Sequence, residues 1–209
     1  MSGMVEQVQP NSAEGVSGRL AIADQVLRAA RRMFMATGTI EMRALARQLG
    51  IGRATLYRWQ RDREALLGEV ILSLAIANLL RCDAEITLPP GAERFCVVHD
   101  LHLQRITSSP PLRTFVRTEP DVARRVLLDA KGTVHVGATR ALADYIRRQE
   151  DASEWRAPLP ADALGATLSR VSEVFLYSDL IANAEPDVTT PDVMLRLMLG
   201  RPVGPDVQR

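Results

Sequence analysis

Residues 39–67 read TIEMRALARQLGIGRATLYRWQRDREALL, and this stretch decides the fold. Thr39 is suited to cap a helix, and Glu41 falls in its first turn, where a carboxylate faces the positive end of the helix dipole. Met42, Leu45, Ala46 and Leu49 recur at three- and four-residue steps, the spacing of an inward helical stripe. Gly50-Ile51-Gly52 breaks the pattern and is too short for a linker, so the next helix must turn sharply against this one. The spacing predicts that second helix over 53–59. A bracing helix, a glycine-containing turn and a short second helix make a helix-turn-helix, whose second helix enters the DNA major groove. Ala46, Leu49, Ile51 and Leu56 supply the small core that fixes the crossing angle. Arg53, Ala54, Thr55, Tyr57 and Arg58 are left for exposed work, with donors for bases and phosphates and an alanine small enough to touch a thymine methyl.

Upstream, Leu20, Ala23, Leu27, Ala30 and Phe34 predict a helix over 19–37, stopped by Gly38. Residues 1–18 are polar and aperiodic and read as a disordered arm. Downstream, Leu66, Leu67, Val70, Ile71, Leu74, Ala77 and Leu80 predict an unusually long helix over 62–86. Helices then follow over 92–107, 112–117, 120–130, 134–149, 162–184 and 191–199, separated by proline- and glycine-bearing breaks. Hairpin turns and sustained alternation are absent. The expected fold is all-α: a three-helix helix-turn-helix domain over 19–67, then a helical domain over 68–209.

The 209 residues are 46% apolar and 24% charged, enough for a real core. Two cysteines, Cys82 and Cys96, make no disulfide framework. The longest apolar run, 70–80, is broken by Ser73 and Asn78 and falls short of the roughly 20 residues that span a bilayer, and the N-terminus lacks the order of a signal peptide. We therefore expect a cytoplasmic protein without a membrane partner. The net charge of +1 is a sum over unlike parts: ten arginines and three acids give +7 over 19–63, and the remainder carries −6. A basic segment on an acidic body points to an anionic partner for one end only. Lys131 is the single lysine, so arginine, whose planar fork suits phosphate and guanine, supplies nearly all the positive charge. A GC-rich genome explains that ratio without explaining the clustering.

Ala46, Gly50, Thr55-Leu56-Tyr57 and Arg63-Glu64-x-Leu66-Leu67 resemble the DNA-binding domain of the TetR family. The chain departs from the family pattern at Gly52, Ala54, Gln60 and Arg63, where Ser, Gly, Phe and Lys are usual; Trp59 falls within the usual His or Trp. The resemblance implies that Thr39, Arg43, Tyr57, Trp59 and Arg63 hold phosphates, and that Arg53, Ala54, Thr55 and Arg58 approach base edges of a pseudo-palindromic, double-stranded operator. For Tyr57 and Trp59 the plain alternative is a place in the domain core. The resemblance further implies a ligand-binding and dimerisation domain, with a homodimer formed by the last two helices. Leu164, Leu168, Val171, Val174, Phe175, Leu176, Leu180 and Ile181 cover more than one face of the first of these, and Met194, Leu195, Leu197, Met198 and Leu199 of the second.

Candidates around an effector pocket are Phe95, His99, His102, Phe115, Tyr145, Phe175, Tyr177 and Asp179. Residues 172–188, SEVFLYSDLIANAEPDV, resemble TetR-type regulators of quorum-signal degradation that respond to lactones, which implies a lactone effector. Cys96-x-x-His99-x-x-His102 has a metal-like look, but i, i+3 steps rotate the third residue off a shared face, so neither a metal nor a cofactor is expected. No G-x-S-x-G, P-loop or G-x-G-x-x-G supports an enzyme. The expected function is a ligand-responsive transcriptional repressor; the alternative is a helical small-molecule or metal-binding protein that does not bind DNA.

Overall fold

The long central helix is the axis on which the other elements hang. The computed structural model describes residues 13–59 and 62–203, with side chains from residue 22 onward except that of Trp59. The elements are α1 (Ala13–Thr37), α2 (Met42–Gln48), α3 (Arg53–Trp59), α4 (Arg63–Glu85), α5 (Ala92–Thr107), α6 (Pro110–Thr118), α7 (Pro120–Leu128), α8 (Thr133–Asp151), α9 (Ala161–Ser172), a π-helical segment (Glu173–Ser178), α10 (Asp179–Ile181) and α11 (Thr189–Met198). No strand occurs among the described residues. The fold is all-α, as the periodicity predicts.

Several local expectations need correction. Helix α1 begins at Ala13, inside the segment read as a disordered arm; residues 1–12 of that arm lie outside the described residues. Its inward stripe is Val26, Ala29, Ala30 and Phe34, while Ala23 is exposed. Thr39 does not cap α2: the N-cap is Glu41, without a side-chain cap. The Thr39 hydroxyl is instead drawn to Arg63 and Glu119. Asp62 caps α4, its carboxylate accepting the Ala65 N–H at 2.6 Å, a contact worth about 1 kcal/mol. Leu80 is exposed where the stripe predicts burial, and Leu79 and Cys82 turn inward instead. Helix α4 contacts α1 and α7 as well as α5 and α8, so its buried face rotates along its length. The helix expected over 162–184 passes through one π-helical stretch and ends at Ile181, two residues before Asn183, whose φ is 58°.

Two apolar clusters hold the molecule. One joins Val26, Phe34, Ile40, Leu45 and Leu56 of the first three helices and their connections to Leu66, Leu67, Val70, Phe115 and Leu127. The small core of the helix-turn-helix is thus continuous with the body, and Phe34 meets Phe115 edge-on at 5.9 Å. The second gathers Phe95, Tyr145, Ile146, Leu164, Leu168 and Leu195 from α5, α8, α9 and α11. Of the residues expected to seek a second subunit, Leu164, Leu168, Leu176, Leu180 and Leu195 are buried within the chain. Val174 (60%), Leu197 (65%) and Met194 (37%) remain exposed on the last helices. Helix α4 is long and apolar enough to cross a membrane by length and composition, yet Leu66, Leu67, Val70, Ile71 and Leu79 are spent inside the protein.

Candidate functional site

On the outer side of the helix-turn-helix, Thr39, Arg43, Arg53, Tyr57 and Arg63 surround an open cup of about 310 Å³. The connection before α2 places Thr39, the exposed side of α2 places Arg43, α3 places Arg53 and Tyr57, and the first residue of α4 is Arg63. Arg43 and Arg53 are exposed and make no ion pair among the described residues. Tyr57 is 40% exposed, so it is not a core aromatic; Leu56, fully buried, takes that place. Ala54 and Arg58 are exposed and Thr55 half-buried on the same short helix, and Arg58 Nη2 donates a long 3.4 Å hydrogen bond to Thr55 Oγ1. Five of the nine predicted DNA contacts therefore gather in one cup, and the other four lie on α3. The side chain of Trp59 lies outside the described residues, as does Gln60.

Arg63 behaves differently from the rest. Its guanidinium donates to both carboxylate oxygens of Glu119 at 2.6 and 2.7 Å, to Thr39 Oγ1 at 2.7 Å and to the Ile40 carbonyl at 2.6 Å. Thr39 Oγ1 in turn donates to Glu119 at 2.7 Å. The bidentate Arg63 fork holds the Glu119 carboxyl below its usual range, with the Thr39 bond adding to the effect. Glu119 is the junction between α6 and α7. The network fastens the start of α4 and the approach to α2 to the body at one point. Sequence reasoning missed Glu119, because nothing local distinguishes it from any other acid before a proline.

Two of the body's cavities share Ala75, Ile106 and Tyr177 in their walls. The outer one, about 210 Å³, opens between α1, α4, α5 and α6. The inner one, about 50 Å³, lies between α4, α5, α8 and α9 and is walled chiefly by aliphatic side chains. His99, His102 and Tyr177 of the predicted pocket residues line the inner cavity, and Tyr177 lines both. The others lie elsewhere. Phe95 packs on Tyr145 and Trp155, with centroids 5.7 and 6.3 Å away. The Tyr145 hydroxyl donates to Asp83 at 2.7 Å, and burial first, then that acid, pushes its pKa upward. Phe115 packs on Phe34, Phe175 is partly buried against the core, and Asp179 accepts the Asp187 N–H at 3.2 Å.

Sequence reasoning missed Ser169, Ser172 and Glu173, which also line the inner cavity. A signal existed: Gly165, Ser169, Ser172 and Leu176 recur at four, three and four residues, a stripe of mostly small side chains on a helix otherwise rich in leucine. Glu173 is buried and bonded to His135 Nδ1, and it starts the π-helical segment. Such segments frequently accompany functional sites, because the extra residue re-aims side chains. Burial lowers the pKa of His99 to about 4 and, with His99 nearby, that of His102 to about 3, so both are neutral at neutral pH. Asn78 Nδ2 contacts His102 Nδ1 at 2.8 Å and donates to its carbonyl at 3.1 Å. Cys96, its thiol pushed up to about 12 by burial, lies near Arg196 and Glu93 of the α5–α11 ion-pair cluster. No three His, Cys, Asp or Glu side chains converge among the described residues.

Residues 90–200 match the sequence model of the family described as tetracyclin repressor-like, C-terminal domain. The chain is similar in structure to the R. erythropolis transcriptional repressor QsdR from the TetR family, with a TM-score of 0.79, 27% identity, and coverage of 87% of this chain and 96% of that one. No curated protein matches the sequence.

Proposed function

The chain belongs to the TetR family of transcriptional regulators, and from that premise we propose that it is a homodimeric repressor whose operator is released when a small molecule fills the body. The observation that carries the reading is the cup: two unpaired arginines, an exposed tyrosine and a threonine around a concavity beside an exposed α3. Arg43 and Tyr57 grip phosphates, joined by Thr39 and Trp59. Arg53, Ala54, Thr55 and Arg58 face base edges. Arg63 sets the geometry of the cup more than it binds, since four of its donor bonds are already made. The 19–67 unit reads DNA, and the 68–209 unit binds the effector and the second subunit.

Exposed Val174, Met194 and Leu197 on the last helices are the apolar face that the partner covers. The effector occupies the paired cavities, and a lactone is the first candidate by the resemblance of 172–188. Ile71 and Leu74 of α4 line the outer cavity, so filling it displaces the helix that begins at Arg63. Release follows when the two α3 helices no longer match major grooves about 34–36 Å apart.

Footprinting of the DNA flanking the gene tests the reading. Two protected half-sites centred about one helical turn, or a multiple of it, apart are expected. Reporter output should rise when the gene is deleted. Protection of a single asymmetric half-site contradicts the dimer, and a reporter that falls on deletion contradicts repression.

A further inference from the structure

The chemistry along the two cavities changes from one end to the other. At the inner end, both ring nitrogens of His99 and the hydroxyls of Ser169 and Ser172 are buried without a hydrogen-bond partner. His99 is 1% exposed and Ser169 4%. Each such group left unsatisfied costs about 1–3 kcal/mol, so this wall is prepared for a guest that can hydrogen-bond. The guest's inner end must be uncharged. His99 is neutral by burial and offers no positive charge, no arginine or lysine is among the described residues lining this cavity, and Glu173 in the same wall already has His135 and Arg170 as partners.

The outer end is the reverse. Arg31 of α1, Arg81 of α4 and Arg105 of α5 line the open cavity. Arg105 pairs with Glu85 at 2.5 Å, while Arg31 and Arg81 make no ion pair among the described residues. The mouth therefore carries a cationic excess, on guanidinium groups whose forks suit a carboxylate. Between the ends the wall is apolar, with Phe34, Ile71, Leu74, Ile106 and Leu112.

We propose that the effector is an elongated carboxylic acid with an uncharged oxygen function at its far end. The carboxylate sits among Arg31, Arg81 and Arg105, the alkyl chain passes Ile106 and Tyr177, and a hydroxyl or carbonyl meets His99, Ser169 and Ser172. This rests on the reading of the paired cavities as the effector site, and within that site it sets an open carboxylic acid in place of the lactone. It also gives the guest a direct hold on α1 of the DNA-reading unit through Arg31, which an inner-cavity ligand alone lacks.

The test is titration calorimetry with decanoic acid, its terminal-hydroxy derivative, the methyl ester of that hydroxy acid, and a ten-carbon lactone. The hydroxy acid is expected to bind roughly tenfold or more tighter than its methyl ester and than the lactone, and tighter than the plain acid. R31Q/R81Q should erase the preference for acid over ester. His99→Phe should erase the preference for hydroxy over plain acid; Ser172→Ala reads the same preference should the His99 variant misfold. Ester or lactone binding as tightly as the acid, preferences unchanged in the variants, or no binding by any of the four overturns the proposal. Operator binding is measured on the same ligand-free preparation. Carboxylates that fail on a protein that binds operator overturn only the effector class. Carboxylates that bind a protein without operator affinity overturn the regulator reading instead.

Discussion

Arg58→Ala should weaken operator binding by about 1–3 kcal/mol, roughly 5- to 150-fold, while leaving binding to random duplex nearly unchanged. Arg58 is exposed on α3, and its only bond among the described residues is a 3.4 Å contact to Thr55 Oγ1, so little is lost when it turns to a base. A bidentate arginine–guanine contact discriminates by that amount because the wrong base leaves donors unpaired. Arg43→Ala serves as the contrast. Arg43 lies in the cup and is unpaired, so its loss should weaken operator and random duplex alike and reduce the salt slope by about one per subunit. Anisotropy titrations of both variants on both duplexes read this directly. Equal losses for Arg58→Ala on the two duplexes would make Arg58 a phosphate contact.

Gly38→Val should lower stability by about 2–4 kcal/mol, seen as a drop of roughly 5–15 °C in the thermal midpoint at fixed protein concentration. Two constraints coincide there. Gly38 has φ of +73°, and its N–H closes α1 by donating to the Phe34 carbonyl at 2.7 Å. A Cβ at that position would lie 2.7 Å from Thr114 Cβ and 2.9 Å from the Pro111 carbonyl. The second contact is backbone and cannot rotate away, so α1 and α6 must part. Gly50→Ala isolates the first constraint: its φ is +66°, with nothing within 4 Å of a built Cβ, so a cost near 1 kcal/mol is expected. A Gly38 variant no worse than the Gly50 variant would mean that α6 yields freely, and that the join between the DNA-reading unit and the body is not tight.

The architecture was legible because helices announce themselves by period. Met42, Leu45 and Ala46 inward, Gly50-Ile51-Gly52 turning and Leu56 buried came directly from spacing, and so did the exposure of Arg53, Ala54 and Arg58. The charge split pointed to the same segment, and the cup gathers arginines from within it. What stayed hidden is what depends on contacts between distant residues. Thr39 reads locally as a cap, but it is 80 residues from the Glu119 that claims its hydroxyl. Arg63 reads as a free cation, but a carboxylate 56 residues on occupies its fork. In the body, aromatics looked like pocket walls because they are rare. Phe95, Tyr145 and Trp155 satisfy one another instead, and the cavity wall is built from small serines that the packing of α8 against α9 leaves facing inward. The π-helical segment from Glu173 is invisible to a reading that assumes one period throughout.

The central claim is that this protein's basic segment, 19–63, grips the backbone of its own control DNA. The most direct measurement is the salt dependence of binding to the duplex flanking its gene, by anisotropy with the ligand-free protein. The two Arg43 side chains of a dimer, each releasing roughly 0.9 of a counterion at a phosphate, predict a log–log slope of about −2 or steeper, with tighter binding to that duplex than to a scrambled one. A slope near zero, or no preference for the flanking sequence at any salt, would contradict it.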